Sequence, residues 1–290
     1  MTAKPPKPEV TGFLHAPTHS VSYVVRDPGS SACVVIDPVL DVDQAAGRLS
    51  TGFADGLIAF IREQSLSVVQ VFETHIHADH LSAASHLRRA TGAGVAIGAG
   101  VGAMQDYFAG VYGGADFPSG GEGFDRLLQD EEEFAVGALK GRALHTPGHT
   151  PSCMTYVIGD AVFVGDTLFM PDGGTARTDF PGGDARVLYR SIRRILELPD
   201  DFRIFVCHDY GPNGRPIAWE TTVGEQRRAN IHVHDGMTED DFVALRKARD
   251  ATLSAPQLII PAIQVNLRAG DPPPADATGR RFLSFPLDAF

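Results

Sequence analysis

Apolar positions recur along this chain with two different periods. Residues 20–25 (SVSYVV) and 32–36 (ACVVI) predict strands, joined by a DPGSS turn. Residues 55–65 predict a helix. Residues 67–72 (SVVQVF) predict a buried strand that runs into the loop ETHIHADH. Leu81, Ala84 and Leu87 stand at helical spacing, so 81–91 reads as a helix. A short strand follows at 95–98 (VAIG), and the Gly-rich stretch 99–130 has no readable period. FAVG, RALH, CMTYVI and AVFVG predict four short strands between 134 and 165. Residues 184–198 predict an amphipathic helix, with Val187, Leu188, Ile192, Ile195 and Leu196 on one face. Residues 202–208 (FRIFVCH) predict a buried strand. Further helices are expected at 219–230 and 238–252, the latter opened by a capping pattern at Thr238.

Two groups of strands with helices between them imply an α/β sandwich. No internal repeat is visible. The expected organisation is a loose Pro/Lys-rich arm at 1–11, one catalytic domain at 12–235, and a C-terminal helix and tail at 236–290 packed on that domain.

Composition narrows the function classes. A chain of 290 residues, 43% apolar, buries a core large enough to need no disulfides. The formal net charge is −11 and no Lys/Arg-dense block occurs, which argues against nucleic acid and anionic membranes as partners. No apolar run approaches a membrane span, and the first residues lack the apolar stretch of a secretory signal. Cys33, Cys153 and Cys207 each lie in an apolar run without a CxxC pair, so buried inert thiols and a cytoplasmic location are expected.

The densest chemistry lies at the ends of predicted strands. His75, His77, Asp79 and His80 place four possible ligands between residues 75 and 80, enough to wrap one or two metal ions. Thr146-Pro147-Gly148-His149-Thr150 uses Pro and Gly to aim one imidazole from a tight turn. Asp166 ends one apolar strand; His208-Asp209-Tyr210 ends another. His232 and His234 form a second HxH without acidic companions and are expected to be solvent-exposed. His15, His19, His86 and His145 are expected to be structural, and Glu131–Glu133 a solvated turn.

In order, HxHxDH, GHT, a strand-end Asp and a strand-end His resemble the metallo-β-lactamase superfamily over residues 12–235, with Asp37 matching its early strand-end Asp. That resemblance implies an αββα sandwich. Three further segments, Gly174–Phe180 (GTARTDF), His208–Tyr210 (HDY) and the tail with Asn266-Leu267-Arg268-Ala269-Gly270, are similar to the persulfide dioxygenase family, the sulfur dioxygenases related to ETHE-type proteins, in its longer bacterial branch.

The resemblance implies one Fe(II) per chain held by His75, His149 and Asp166. Such a two-histidine, one-carboxylate face leaves positions open for O2 and a thiol-derived substrate. His77, Asp79, His80, His208 and Asp37 then orient ligands or form a second metal position. Arg177 and Tyr210 are the implied substrate-binding and catalytic side chains, Arg177 pairing with a carboxylate of glutathione persulfide. Relatives often carry a Cys near this Arg. Thr175 and Thr178 stand here instead, so no catalytic thiol is expected. The implied reaction converts glutathione persulfide and O2 to sulfite and glutathione, in a homodimer. The ligand cluster alone also permits a dinuclear hydrolase of glutathione thioesters of the glyoxalase II type, or a non-catalytic metal- or sulfide-sensing protein.

Overall fold

The computed structural model describes residues 7–114 and 116–289. The first half of the chain contributes β1 (Glu9–His15), β2 (Ser20–Arg26), β3 (Ala32–Ile36), β4 (Val39–Asp43), β5 (Arg48–Ser50), α1 (Gly52–Glu63), β6 (Ser67–Phe72), β7 (Leu81–Ser82), α2 (Ala84–Thr91), β8 (Val95–Gly98), α3 (Val101–Tyr112) and β9 (Arg126–Leu128). The second half adds β10 (Glu132–Val136), β11 (Leu139–His145), β12 (Met154–Ile158), β13 (Ala161–Phe163), α4 (Ala185–Ile195), β14 (Arg203–Phe205), β15 (Glu220–Thr222), α5 (Val223–Ala229), α6 (Glu239–Asp250) and α7 (Ile259–Asn266).

One six-stranded sheet has the order β1-β2-β3-β6-β8-β9 and the other runs β10 to β15 in sequence order. Their inner faces share a core in which Tyr23 and Phe72 meet Tyr156, Phe163 and Phe205. The rings of Phe72 and Tyr156 lie 4.6 Å apart, and those of Tyr23 and Phe163 5.3 Å. Outside one sheet, Ala54 of α1 and Leu87 of α2 pack with Val71 and Val95. Outside the other, Leu188, Ile192 and Ile195 of α4 pack with Val162 and Ile204. The layers are therefore helix, sheet, sheet, helix, the expected αββα sandwich. A buried aromatic typically contributes about 3–5 kcal/mol against truncation to Ala, so the inter-sheet rings anchor the two halves.

Several elements differ from the sequence reading. Residues 9–11, expected in a loose arm, belong to β1, whose seven residues pair antiparallel with β2. Residues 1–6 lie outside the described residues. The helix expected at 219–230 is split: 220–222 pair with β14 as β15, and the helix starts only at Val223, capped by Thr222. The unreadable stretch 99–130 contains α3 and β9. Glu132 and Glu133, expected in a turn, lie in β10. The part of the chain beyond residue 235 is closely engaged with the sandwich. Helix α6 lies beside α4, and α7 lies beside β7. No helix among the described residues is long and apolar enough to cross a membrane.

Candidate metal centre

The site is built from loops that leave buried strands. Strand β6 feeds the loop 73–80. The turn between β11 and β12 carries His149. The chain beyond β13 carries Asp166, and the chain beyond β14 carries His208. His75, His149 and Asp166 are all buried, and their ligand atoms lie within 4.8 Å of one another. Asp166 Oδ2 is 3.9 Å from His75 Nε2 and 3.8 Å from His149 Nε2.

Hydrogen bonding fixes which nitrogen of each ring is free. The Thr74 hydroxyl donates to Asp37 Oδ2 at 2.8 Å, so its oxygen accepts from His75 Nδ1 at 3.0 Å. His75 Nε2 therefore presents a lone pair to Asp166 and His149. His149 Nδ1 donates to the Arg177 carbonyl at 2.8 Å, which leaves its Nε2 bare as well. Metal-ligating histidines are commonly oriented by such a bond on the other ring nitrogen. Burial holds His75 well below the ordinary imidazole range, which keeps it a neutral donor.

A second cluster joins the first through Asp166. His77, Asp79, His80 and His208 also bring one donor each within 4.8 Å of one another. His208 Nε2 lies 3.0 Å from Asp79 Oδ2 and 3.3 Å from Asp166 Oδ1. His77 Nε2 donates to Asp37 Oδ1 at 3.1 Å, so its Nδ1 is the bare atom. His80 Nδ1 is bonded to the Ser20 hydroxyl at 3.1 Å. Burial brings the His80 pKa down to about 4. Burial pushes the Asp166 carboxyl above its usual value, and the charge of Asp79 adds to this while His208 opposes it.

The donor set fits a metal cation. His77 Nδ1, His80 Nε2, His208 Nε2 and Asp166 Oδ1 are buried polar atoms without a hydrogen-bond partner. Buried polar atoms are ordinarily satisfied; the three histidines belong to one cluster, and Asp166 Oδ1 adjoins it through His208. His75, His149 and Asp166 would hold one ion, and the second cluster offers a further position sharing Asp166.

Asp79, His149, Asp166 and His208 line a cavity of about 810 Å³, whose wall also includes Phe169, Phe180, Ile231 and Leu253. The expected substrate residues are placed unequally. Tyr210 is 58% exposed at the rim, its ring stacked on His208 at 6.2 Å. Arg177 lines the cavity, but its guanidinium is committed to Asp179 through Nε at 2.5 Å and Nη2 at 2.7 Å, and to the Ser254 carbonyl at 2.6 Å. A substrate carboxylate must displace Asp179 to reach that fork. Arg249, unremarked in the sequence, also lines the cavity. Among the described residues its guanidinium has no hydrogen-bond or ion-pair partner. Only its place on α6, one turn from buried Arg246, distinguishes it from a surface arginine. His232 is a correction: it is buried, with Nδ1 accepting from the Thr175 amide at 3.0 Å, because residues 174–175 fold over it. His234 remains partly exposed, and the three cysteines are free and buried.

The metallo-β-lactamase superfamily model matches residues 15–208. The chain belongs to that superfamily. A probable metallo-hydrolase of Burkholderia pseudomallei is 52% identical over 97% of this chain and 99% of its own length. A relative named Glyoxylase B2, from Dictyostelium discoideum, is 46% identical over 97% of this chain and 98% of its own. The mitochondrial persulfide dioxygenase ETHE1 of Homo sapiens is 31% identical over 86% of this chain and 84% of its own. The chain spans 65% of the length of a β-lactamase hydrolase-like protein of Agrobacterium fabrum, to which it is 50% identical across 97% of its own residues. Among solved structures, ETHE1 from Myxococcus xanthus superposes with a TM-score of 0.71 and 30% identity, covering 91% of this chain and all of the other.

Proposed function

We propose that this metallo-β-lactamase-fold enzyme oxygenates glutathione persulfide with an Fe(II) ion held by His75, His149 and Asp166. The observation that carries this reading is the convergence of two imidazole lone pairs and one carboxylate on a single point at the cavity floor. Likeness to persulfide dioxygenases along most of the chain supports the choice of reaction. The balanced conversion takes glutathione persulfide, O2 and water to glutathione, sulfite and two protons. When bound, the ion supplies redox-active positions for O2 and the persulfide sulfur on its open side.

The protein's own part is orientation. Arg177 acts through its carbonyl, which holds the His149 ring. The apolar wall around Phe169 and Leu253 excludes water from the persulfide. Tyr210 and His19, whose rings lie 5.3 Å apart, border the entrance. Arg249 takes the carboxylate of the glutathione moiety, because it is the cavity arginine whose fork needs no prior partner exchange. Arg249→Ala should raise KM for glutathione persulfide with kcat nearly unchanged. A lost charge-assisted hydrogen bond costs about 1.5–3 kcal/mol, roughly 10- to 150-fold. Steady-state kinetics with glutathione persulfide and with a persulfide lacking carboxylates check this; an equal KM rise for both would remove Arg249 from the binding role.

A second reading has its own support. The complete second donor cluster and the Glyoxylase B2 relative favour a dinuclear hydrolase of glutathione thioesters. An oxygen electrode separates the two. We expect O2 uptake with glutathione persulfide, matched by sulfite, and only trace hydrolysis of S-lactoylglutathione. Rapid thioester hydrolysis by zinc-loaded protein, with no O2 uptake by the iron form, would establish the hydrolase instead.

A further inference from the structure

The segment beyond residue 235 touches the 75–80 loop and the 175–178 stretch behind His149 with buried polar side chains. Asn266, at the end of α7, is 3% exposed. Its Nδ2 donates to the carbonyls of His77 and His80, each at 2.8 Å, and its Oδ1 accepts from the Ser82 amide at 2.7 Å. One side chain thus ties down three backbone groups of the loop that carries His75, His77, Asp79 and His80. The approach is close: a Cβ on Gly270, whose φ is +87°, would lie 2.7 Å from the Ser82 carbonyl.

A second contact holds the loop behind His149. Arg246, on α6, is 1% exposed and ion-paired with Asp250 at 2.7 Å. Arg246 Nη1 donates to the Thr175 carbonyl at 2.9 Å. Asp250 Oδ2 accepts from the Thr178 amide at 2.9 Å and the Thr178 hydroxyl at 3.0 Å. From the other side His232 accepts from the Thr175 amide. Between these anchors lie Ala176 and Arg177, and the Arg177 carbonyl receives His149 Nδ1.

Surface attachment of a tail needs no buried charge. An ion pair removed from water carries a desolvation cost that attraction and hydrogen bonds must offset. The Arg246–Asp250 pair is buried where it meets the backbone of a ligand-orienting loop. We infer that Asn266, Arg246 and Asp250 are positioning residues that make the C-terminal segment a working part of the metal centre, Asn266 fixing the 75–80 loop and the Arg246–Asp250 pair fixing the carbonyl that orients His149. This inference rests on the metal site proposed above and not on which reaction that site performs.

The test uses the full chain stripped of metal and titrated with Co(II) against a competing chelator, with the visible Co(II) spectrum recorded. Asn266→Asp sets a carboxylate against the His77 and His80 carbonyls while keeping the acceptor for Ser82. Asp250→Asn sets an amide N–H against either Thr178 or Arg246. Each variant should bind Co(II) about 10- to 100-fold more weakly, the usual cost of losing a group that orients a metal ligand, with an altered spectrum. A role confined to packing would lower the melting temperature of the metal-free protein and leave the Co(II) Kd and spectrum at wild-type values; that result in both variants overturns the inference. A wild-type Kd in only one overturns the contact that variant probes. Should either fail to fold, Asn266→Ser and Arg246→Lys take their places under the same readings. Co(II) affinity does not depend on O2 uptake, so failure of the dioxygenase reading leaves this measurement standing.

Discussion

Asp166→Ala will lose nearly all bound metal and slow turnover by roughly a thousandfold or more, equivalent to about 4 kcal/mol of transition-state stabilisation. The reason is geometric. Asp166 is the one residue that serves both donor clusters, Oδ2 facing His75 and His149 and Oδ1 facing His208. Metal analysis and activity on the same preparation measure both effects. The metal-free variant should melt at or above the metal-free wild type. Burial raises the Asp166 carboxyl, and partly exposed Asp79, on the other side of His208, adds to this while His208 opposes it, so removing the carboxylate removes a net cost. Wild-type protein with metal should melt higher than either. Retention of one metal per chain by Asp166→Ala would show that the true centre lies elsewhere in the histidine cluster.

Local pattern was enough for the parts of the fold that a single segment encodes. Helix α4 shows an apolar stripe from Leu188 to Ile195 and an Asp184 cap that accepts from the Arg186 and Val187 amides. The strands β2, β3 and β6 are apolar runs ended by turn residues or by the ligand loop. Helix α7 was not legible because burial on nearly all sides erases the amphipathic period. Pro261 also reads as a breaker, although in the first turn of a helix its missing N–H has no helical partner to lose. Strand β1 was hidden because Val10 to Leu14 are only partly buried and follow a Pro/Lys-rich stretch.

The candidate ligands were legible for a different reason. They stand at strand ends in motifs short enough to recognise whole. Their supports were not, since Asn266 lies 186 residues from the His80 carbonyl it holds, and Arg246 lies 71 from Thr175. Arg177 stands in the GTARTDF segment, and Arg249 stands in no such motif. Only the structure shows that Asp179 already occupies one of the two forks.

The turn that aims His149 carries the last large effect. Gly148 has φ +133°, a conformation that L side chains rarely adopt, and a Cβ there would lie 2.3 Å from both the Cα and the N of Leu188. Those are backbone atoms of α4, whose buried Leu188 packs against the second sheet, so the neighbour has no rotamer by which to yield. The Gly148 carbonyl also accepts from the Asp184 amide at 2.9 Å, coupling this turn to the start of the helix. Gly148→Ala must therefore push α4 and the 146–150 turn apart. Backbone strain contributes about 1–3 kcal/mol and overpacking a similar amount, about 1–3 kcal/mol. For a domain of this size that corresponds to a melting temperature lower by roughly 5–20 °C. Because His149 is the next residue, metal content should fall with stability. Gly110→Ala is the control: it lies in α3 with nothing within 4 Å of the added Cβ. There alanine should be neutral or stabilising by about 0.5–1 kcal/mol. Thermal melts of both variants with and without metal decide the matter. A Gly148→Ala protein that melts with the wild type and keeps its metal would mean that the turn, not the glycine, gives His149 its direction.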